Sequence, residues 1–184
     1  MNTEFDIVYT DATEPFKSEL KRFRQTHTLK TIYSKGKKWT YYANGKGGKV
    51  ILVLHGGGGP AESLFRYIMM FEDSYRVVAP TIPSSVDCVA EVMDAIMEIL
   101  NKEIVSEVHI FGVSNGGMIG QCLVRQYPHN VLSLILFHSM LPSNDYAKVF
   151  GKRVKVLSIL PRWVTIALGQ KWVIKQMQSE EANA

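Results

Sequence analysis

The hydrophobic pattern of this chain alternates between short apolar runs and longer stretches with helical spacing. The run Val50–Leu54 is continuously apolar and rich in β-branched residues, which is typical of a strand buried on both faces. Further buried strands are predicted at Tyr75–Pro80, Val105–Phe111 and Val131–Phe137. Between the strands, helical spacing begins at Pro60 and recurs at about Val86–Leu100 and about Asn115–Gln126. This alternation predicts an α/β fold, with a mainly parallel sheet and helices on both faces.

The chain before this alternation has a different pattern. Thr13 followed by Pro15 predicts a helix start that is capped by the threonine hydroxyl. The segment His27–Asn44 then alternates apolar and polar residues on both sides of a turn at Lys35–Lys38. Such a pattern predicts an N-terminal antiparallel hairpin.

The sequence changes character again near its C-terminal end. From Leu141 onward, isolated apolar residues stand among lysines and arginines, and no acidic residue occurs between Asp145 and Glu180. We interpret residues 1–140 as an incomplete core domain and residues 141–184 as the start of a helical lid. Helices that merely cover the sheet would give the same pattern. Basic, tryptophan-bearing segments also occur at membrane surfaces, but no membrane association is expected here.

Composition limits the class of protein. The 184 residues are 46% hydrophobic and 21% charged, which suits one domain with a sizeable core. The net charge of +4 is mild and scattered, which argues against nucleic acid as a partner. The N-terminal residues lack the apolar core of a signal peptide, and no apolar run reaches the roughly 18 residues of a membrane span. A cytoplasmic protein is therefore expected.

The segment Gly112–Gly117 carries the strongest chemical signal. Ser114 stands between a predicted buried strand and a predicted helix, with Gly112 and Gly116 two residues away on either side. A serine that projects from so tight a turn requires glycine at both flanks, because side chains there would collide. The N–H of Asn115, at the helix start, is then placed to stabilise an oxyanion. A glycine-rich connection with a chance serine is the alternative interpretation.

A second glycine run, His55–Gly59, follows the first predicted parallel strand. The N–H groups of Gly57 and Gly58 can approach a substrate closely, because no Cβ intrudes. This run and Ser114 both follow carboxyl ends of predicted strands, where ligands bind in such sheets. We therefore predict a two-sided oxyanion hole formed by Gly57, Gly58 and Asn115.

Neither a cofactor nor a metal ion is predicted. The spacing Gly56-x-Gly58-x-x-Ala61 imitates a dinucleotide fingerprint, but Val77–Thr81 offers no acid to hold a ribose. Cys88 and Cys122 both fall in predicted helices, and we expect them to be small buried side chains rather than a disulfide or metal ligands.

Together, three motifs resemble those of the α/β-hydrolase family. They are His55–Gly59, Tyr75–Pro80 and Gly112–Gly117, in this order and at plausible spacings. The resemblance covers about residues 28 to 140, and a weaker one, through Leu160–Trp163, is to maspardin-like members. It implies that Ser114 is the nucleophile and that Gly57 and Asn115 are oxyanion donors. The implied activity is hydrolysis of carboxylic esters or related acyl compounds through an acyl-Ser114 intermediate, with a small-molecule acyl substrate.

The chain departs from the family pattern in two places. Thr81 stands where many members carry an acid, at a position that is usually structural. The family triad runs serine, acid, histidine along the chain, whereas here no histidine follows Asp145, the one aspartate after Ser114. The family's last two strands also have no counterpart after Phe137.

One histidine is a candidate for the cleft. Because His138 follows the carboxyl end of a predicted strand, we assign it to the cleft as a substrate-lining residue. The predicted strand Val131–Phe137 would leave a bare apolar edge, and such an edge invites aggregation. We therefore expect either that the chain is truncated at its C-terminal end, or that a second copy or another partner completes the sheet.

The missing triad leaves a second possible function. Loss of the triad's base lowers turnover by about a millionfold, so the alternative to an esterase is a non-catalytic α/β-hydrolase-like binding or scaffold protein.

Overall fold

The computed structural model describes residues 9–10, 12–57, 59–141 and 164 of the chain. Their helices and strands are α1 (Glu14–Thr26), β1 (Lys30–Ser34), β2 (Lys37–Asn44), β3 (Val50–Leu54), α2 (Phe65–Glu72), β4 (Arg76–Thr81), α3 (Val89–Lys102), β5 (Val108–Val113), α4 (Asn115–Gln126) and β6 (Val131–Phe137). A 3₁₀ turn at Ala61–Leu64 precedes α2. The chain divides into two units, Met1–Leu141 and Pro142–Ala184. The predicted lid lies outside the described residues, apart from Leu141 and Val164.

The described strands form one six-stranded sheet in the order β1-β2-β4-β3-β5-β6. The β1–β2 and β2–β4 pairs are antiparallel, and the other three pairs are parallel. The predicted α/β fold with an N-terminal hairpin is therefore confirmed. Leu54 lies opposite Gly112, and Val113 lies opposite Phe137. The carboxyl ends of β3, β5 and β6 consequently meet at one edge of the sheet.

Helices cover both faces of this sheet, and each face has its own apolar core. On one face, α1 and α2 contribute Leu20, Phe23, Phe65 and Ile68, which pack against Ile51, Val53, Val77 and Phe111. On the other face, α3 and α4 contribute Val92, Ile96, Ile99, Ile119 and Leu123, which pack against Trp39, Tyr41, Leu52, Val78 and Ile110. The central strands are buried on both sides for this reason, as their continuous apolar sequence predicts.

The hairpin turn is shorter than the predicted Lys35–Lys38. Strand β2 already begins at Lys37, and only Lys35 and Gly36 connect the two strands. Both have left-handed backbones, with φ of +48° and +75°. Two such residues match the twist of antiparallel strands, which is why a two-residue connection suffices.

The predicted threonine cap of α1 and the predicted start of α3 are both wrong. Thr13 precedes α1, but its hydroxyl makes no capping hydrogen bond. Helix α3 begins at Val89 instead of about Val86, because the Val86 N–H donates to Pro83 O in a separate turn (3.1 Å). Cys88 consequently precedes this helix and is exposed, contrary to the prediction of a buried cysteine.

The C-terminal end of α3 holds a β-branched residue in a left-handed conformation. The N–H of Val105 donates to Leu100 O (2.9 Å) and the N–H of Ile104 donates to Asn101 O (3.0 Å), which is a Schellman motif. Its left-handed position usually carries glycine, but here it carries Ile104, with φ of +56° and 93% of its surface exposed. The isoleucine thus bears backbone strain without gaining apolar burial.

Replacing Ile104 with glycine is therefore expected to stabilise the protein by about 1 kcal/mol, since a left-handed L-residue costs about 1–2 kcal/mol. Urea unfolding would measure the change. Ile104→Ala is the matched control, because it removes the side chain but retains a Cβ, and it should change stability little. Equal gains from both variants would show that exposed apolar surface, and not the backbone, is the cause.

A buried carboxylate, Glu103, joins the hairpin, β4 and the end of α3. Its side chain is 7% exposed and accepts hydrogen bonds from Lys30 Nζ (2.8 Å), Tyr41 OH (2.8 Å) and Arg76 Nη2 (2.5 Å). Burial raises the pKa of Glu103, but these three donors outweigh it and lower the pKa below its usual range. Burial and the bond to Glu103 also raise the pKa of Tyr41 to about 12.

Strand β6 is the edge of the described sheet on the side away from the hairpin. Its apolar side chains are partly exposed on both faces: Leu132 at 51%, Ile135 at 48% and Leu136 at 44%. The predicted apolar sheet edge at Val131–Phe137 is confirmed for the described residues. A partner that covers this edge stays a prediction.

Candidate active site

Ser114 occupies the tight turn between β5 and α4 that the sequence predicts. Its backbone has φ of 51° and ψ of −116°, a conformation that residues with a side chain rarely adopt. A Cβ on Gly112 would lie 2.6 Å from Gly117 Cα, and a Cβ on Gly116 would collide with Leu54 O and lie 2.6 Å from His55 O. Both flanking glycines are therefore required by the fold.

Hydrogen bonds on both sides hold this strained turn in place. The Ser114 N–H donates to Phe137 O at the end of β6 (2.9 Å), and Ser114 O accepts from Ser139 Oγ (2.8 Å). Ser114 O also accepts the first helical bond of α4, from the Gly117 N–H (3.0 Å). Ser139 was missed by sequence analysis, because nothing local links it to the turn.

The nucleophile candidate is accessible. Ser114 and Asn115 are both exposed, with Asn115 as the first residue of α4. Within the described residues, Ser114 Oγ makes no hydrogen bond, so no base is bound to it. The Asn115 N–H is the first of α4, so it has no partner within the helix.

The glycine run after β3 lies beside this serine. A Cβ on Gly56 would be 3.3 Å from Ser114 Cβ and 3.9 Å from Ser114 Oγ. Gly57 is exposed, and a Cβ there would contact nothing within 4 Å. Gly58 lies outside the described residues. Thus the structure brings together Ser114, Asn115 and the backbone at Gly56–Gly57, although they are far apart in the sequence.

His55, in contrast, is a buried part of the scaffold. It is 4% exposed, and both ring nitrogens are hydrogen-bonded: Nδ1 to Gly56 O (2.7 Å) and Nε2 to the Ile82 N–H (3.0 Å). Burial lowers its pKa below the usual range, an effect partly offset by the bond to Gly56 O. The ring therefore connects the glycine run to the segment that follows β4.

A cleft with a volume of about 490 Å³ opens next to these groups. It is lined by His55, Gly56, Gly57, Gly59, Pro60, Thr81, Ile82, Pro83, Ser84, Val86 and Asn115. None of these residues other than histidine can carry a charge. The Thr81 hydroxyl accepts a hydrogen bond from the Ala61 N–H (3.0 Å), which gives this departure from the family pattern a structural role.

His138, which is predicted to line the cleft, lies at the carboxyl end of β6. It follows β6 with φ of +47°, is exposed, and packs its ring against Phe137 at a centroid distance of 4.4 Å. It is absent from the residues that line the cleft. A contact between His138 and a substrate stays a prediction.

The described residues contain no group of three or more metal-ligating side chains that could hold an ion. Within the same residues, no helix is both long enough and apolar enough to cross a membrane.

Proteins similar to this chain are found by comparing sequences and by comparing structures. No protein-family model matches the chain. An uncharacterized hydrolase of Bacillus subtilis, YcgS, is 29% identical over 115 residues, covering 59% of this chain and 40% of that protein. An AB hydrolase superfamily protein of Gibberella zeae is 33% identical over 107 residues, covering 52% and 37% of the two chains. A hydrolase structure from Pseudomonas aeruginosa PA01 has a TM-score of 0.67 at 18% identity, and the match covers 77% of this chain and 57% of that one.

Both kinds of comparison support the resemblance to the α/β-hydrolase family. The chain spans 40% and 37% of the lengths of these two curated relatives. The α/β-hydrolase fold accounts for the sheet, the covering helices and the position of the turn. The roles of individual residues are inferred from the geometry of the turn and the cleft.

Proposed function

We propose that this chain carries the nucleophile and the oxyanion hole of a serine hydrolase that cleaves carboxylic esters or related acyl compounds. The observation that supports this most is the strained, exposed Ser114 (φ of 51°) beside the glycine run at Gly56–Gly57. A fold retains such strain only where surrounding contacts enforce it, and these positions cluster at active sites.

In the proposed reaction, Ser114 Oγ bonds to the carbonyl carbon of the substrate while its proton passes to a base. The carbonyl oxygen becomes an oxyanion that accepts hydrogen bonds from the N–H groups of Asn115 and Gly57, with Gly58 as a further donor. The carbon–oxygen bond to the alcohol then breaks, and the alcohol takes up the proton. Water finally attacks the acyl-Ser114 ester, which releases the acid and restores the serine.

The cleft suggests the kind of substrate. Its walls combine prolines and aliphatic side chains with the uncharged Ser84 and Asn115. Its volume of about 490 Å³ falls within the range of about 300–1,000 Å³ that is typical of small-molecule sites. A small acyl compound without a charge near the reacting carbonyl fits such a surface best.

A second function is favoured by one observation. Within the described residues, no histidine is hydrogen-bonded to Ser114 Oγ, so proton removal has no evident acceptor there. A non-catalytic binding or scaffold protein that retains the fold would have the same appearance. Without a base, an oxyanion hole and binding alone leave about a thousandfold acceleration over water.

Labelling with a fluorophosphonate probe separates the two functions, with hydrolysis of a neutral nitrophenyl ester as a second readout. We expect the wild-type chain to be labelled and Ser114→Ala to show no labelling, because the probe forms its covalent bond with the activated serine. Ser106→Ala is the matched control, since it removes an exposed hydroxyl at the opposite end of β5 and retains the nucleophile. Labelling that persists in Ser114→Ala would refute the nucleophile assignment, and a folded wild-type chain that is never labelled would favour the scaffold.

A further inference from the structure

The imidazole of His55 is held in one protonation state by its neighbours. The Ile82 N–H can only donate, so Nε2 must accept this bond with its lone pair (3.0 Å). The proton of the neutral ring is then on Nδ1, which donates to Gly56 O (2.7 Å). A protonated ring would direct a second N–H at the Ile82 N–H, and the repulsion between the two would displace the ring and disturb both bonds.

The bond to Gly56 O determines where the next N–H points. Gly56 O and the Gly57 N–H belong to the same planar, trans peptide unit, so they point in opposite directions. Fixing the carbonyl against His55 therefore fixes the orientation of the Gly57 N–H. Gly56 itself lies against Ser114, where a Cβ would be 3.3 Å from Ser114 Cβ. The peptide that His55 holds is thus the one beside the nucleophile candidate.

The glycine run is attached to the end of β4 at both of its ends. His55 precedes the run and binds the Ile82 N–H, while the Ala61 N–H follows the run and binds Thr81 Oγ1 (3.0 Å). The residues between these two attachments are glycines and Pro60. Because glycine has little conformational preference of its own, the two attachments must supply the rigidity that oxyanion donors need.

We infer that neutral His55 is a positioning residue: it orients the Gly57 N–H toward the developing oxyanion, and its protonation weakens the reactivity of Ser114. This inference rests on the proposed function. Burial lowers the pKa of His55, and no charged side chain contributes to that shift. The other residues that line the cleft, from the glycine run, from Thr81–Val86 and from the start of α4, carry no titratable acid or base.

Two variants separate the two hydrogen bonds of the ring. Asparagine at position 55 places an amide N–H near the former Nδ1 and can donate to Gly56 O, but it does not reach Ile82. Glutamine extends to the former Nε2, where its oxygen can accept from Ile82, and leaves Gly56 O without its donor. If orientation of the 56–57 peptide is what matters, His55→Asn should retain more Ser114 reactivity than His55→Gln.

The experiment measures second-order rate constants for fluorophosphonate labelling of the full chain between pH 5 and pH 8. The wild-type rate should fall as pH decreases through the pKa of His55, below its ordinary value of about 6.5. At pH 8, His55→Gln should react about 100-fold more slowly, which is the usual cost of losing one oxyanion donor, and His55→Asn less than about tenfold more slowly. In neither variant should the labelling rate fall in this way as pH decreases. Equal rates and equal pH profiles in all three proteins would overturn the inference.

Nitrogen NMR of the histidine rings tests the tautomer of His55 and its coupling to the Gly57 N–H without measuring activity. We expect His55 to be the Nδ1–H tautomer at pH 8, and the Ile82 and Gly57 amide signals to shift together as it titrates. An Nε2–H tautomer, or a Gly57 signal that does not respond, would overturn the assignment even if labelling is normal. A wild-type chain with this NMR behaviour but without labelling would instead refute the nucleophile. Thermal unfolding of each variant ensures that rates are compared among folded proteins.

Discussion

Gly116→Ala should destabilise the protein by about 3 kcal/mol or more and abolish fluorophosphonate labelling. The added Cβ would collide with Leu54 O and lie 2.6 Å from His55 O, and both are backbone atoms that move only if β3 moves. Overpacking of this kind typically costs about 1–3 kcal/mol when side chains can adjust, and backbone cannot adjust as easily. Urea unfolding gives the stability, and the labelling rate reports the state of Ser114.

Gly48→Ala is the matched control for that substitution. A Cβ at Gly48 would contact nothing within 4 Å, and its backbone conformation suits any residue. Its stability should stay within about 0.5 kcal/mol of wild type or rise slightly, since alanine reduces the freedom of the unfolded chain. If Gly116→Ala changed the stability as little as Gly48→Ala, the turn could not lie as close to the end of β3 as the structure has it.

Glu103→Ala should be the most destabilising change among the charged residues, at about 3 kcal/mol. The substitution leaves Tyr41 OH buried without its acceptor and removes the carboxylate that binds Lys30 and Arg76. For a chain of this size, the melting temperature should fall by roughly 10 °C, which calorimetry would measure. Asp94→Ala is the control, because its ion pair with Lys35 is exposed and should contribute little to stability.

The contribution of Glu103 should also depend on pH. Its carboxyl has a lowered pKa in the folded protein, so the folded state binds its proton less readily than the unfolded state. The stabilisation is therefore present above the usual pKa of a glutamate and is lost as pH falls through the folded value. The stability difference between wild type and Glu103→Gln should shrink in acid, and a difference that grew there would contradict the assigned network.

Local patterns were sufficient to predict much of this fold. The bounds of β3, α4 and β6 agree with the sequence prediction, because continuous apolar runs and a glycine turn define them within a few residues. The strained turn at Ser114 was also predictable, since collisions between near neighbours determine its flanking glycines. The start of α3 was not, because a turn at Pro83–Val86 competes with helix extension there.

The parts that sequence analysis missed are contacts between distant residues. Nothing near His55 indicates that its ring accepts a bond from Ile82, 27 residues away. Ser139 reaches Ser114 only because β6 lies next to β5, and Glu103 meets Lys30 only because β1 lies near the end of α3. The place of His55, directly before a glycine run at the end of a buried strand, does indicate a structural role, but it does not identify Ile82 as the partner.

The position of β5 inside the sheet affects how the two halves of this site can change during evolution. β5 is paired on both sides, with β3 and β6, so the geometry of Ser114 is inseparable from the central sheet. The proposed donors of the glycine run depend instead on two hydrogen bonds to the end of β4. Under the proposed function, substitutions at those two bonds would change the donors while the sheet stays intact, whereas a new geometry at Ser114 would require a different sheet.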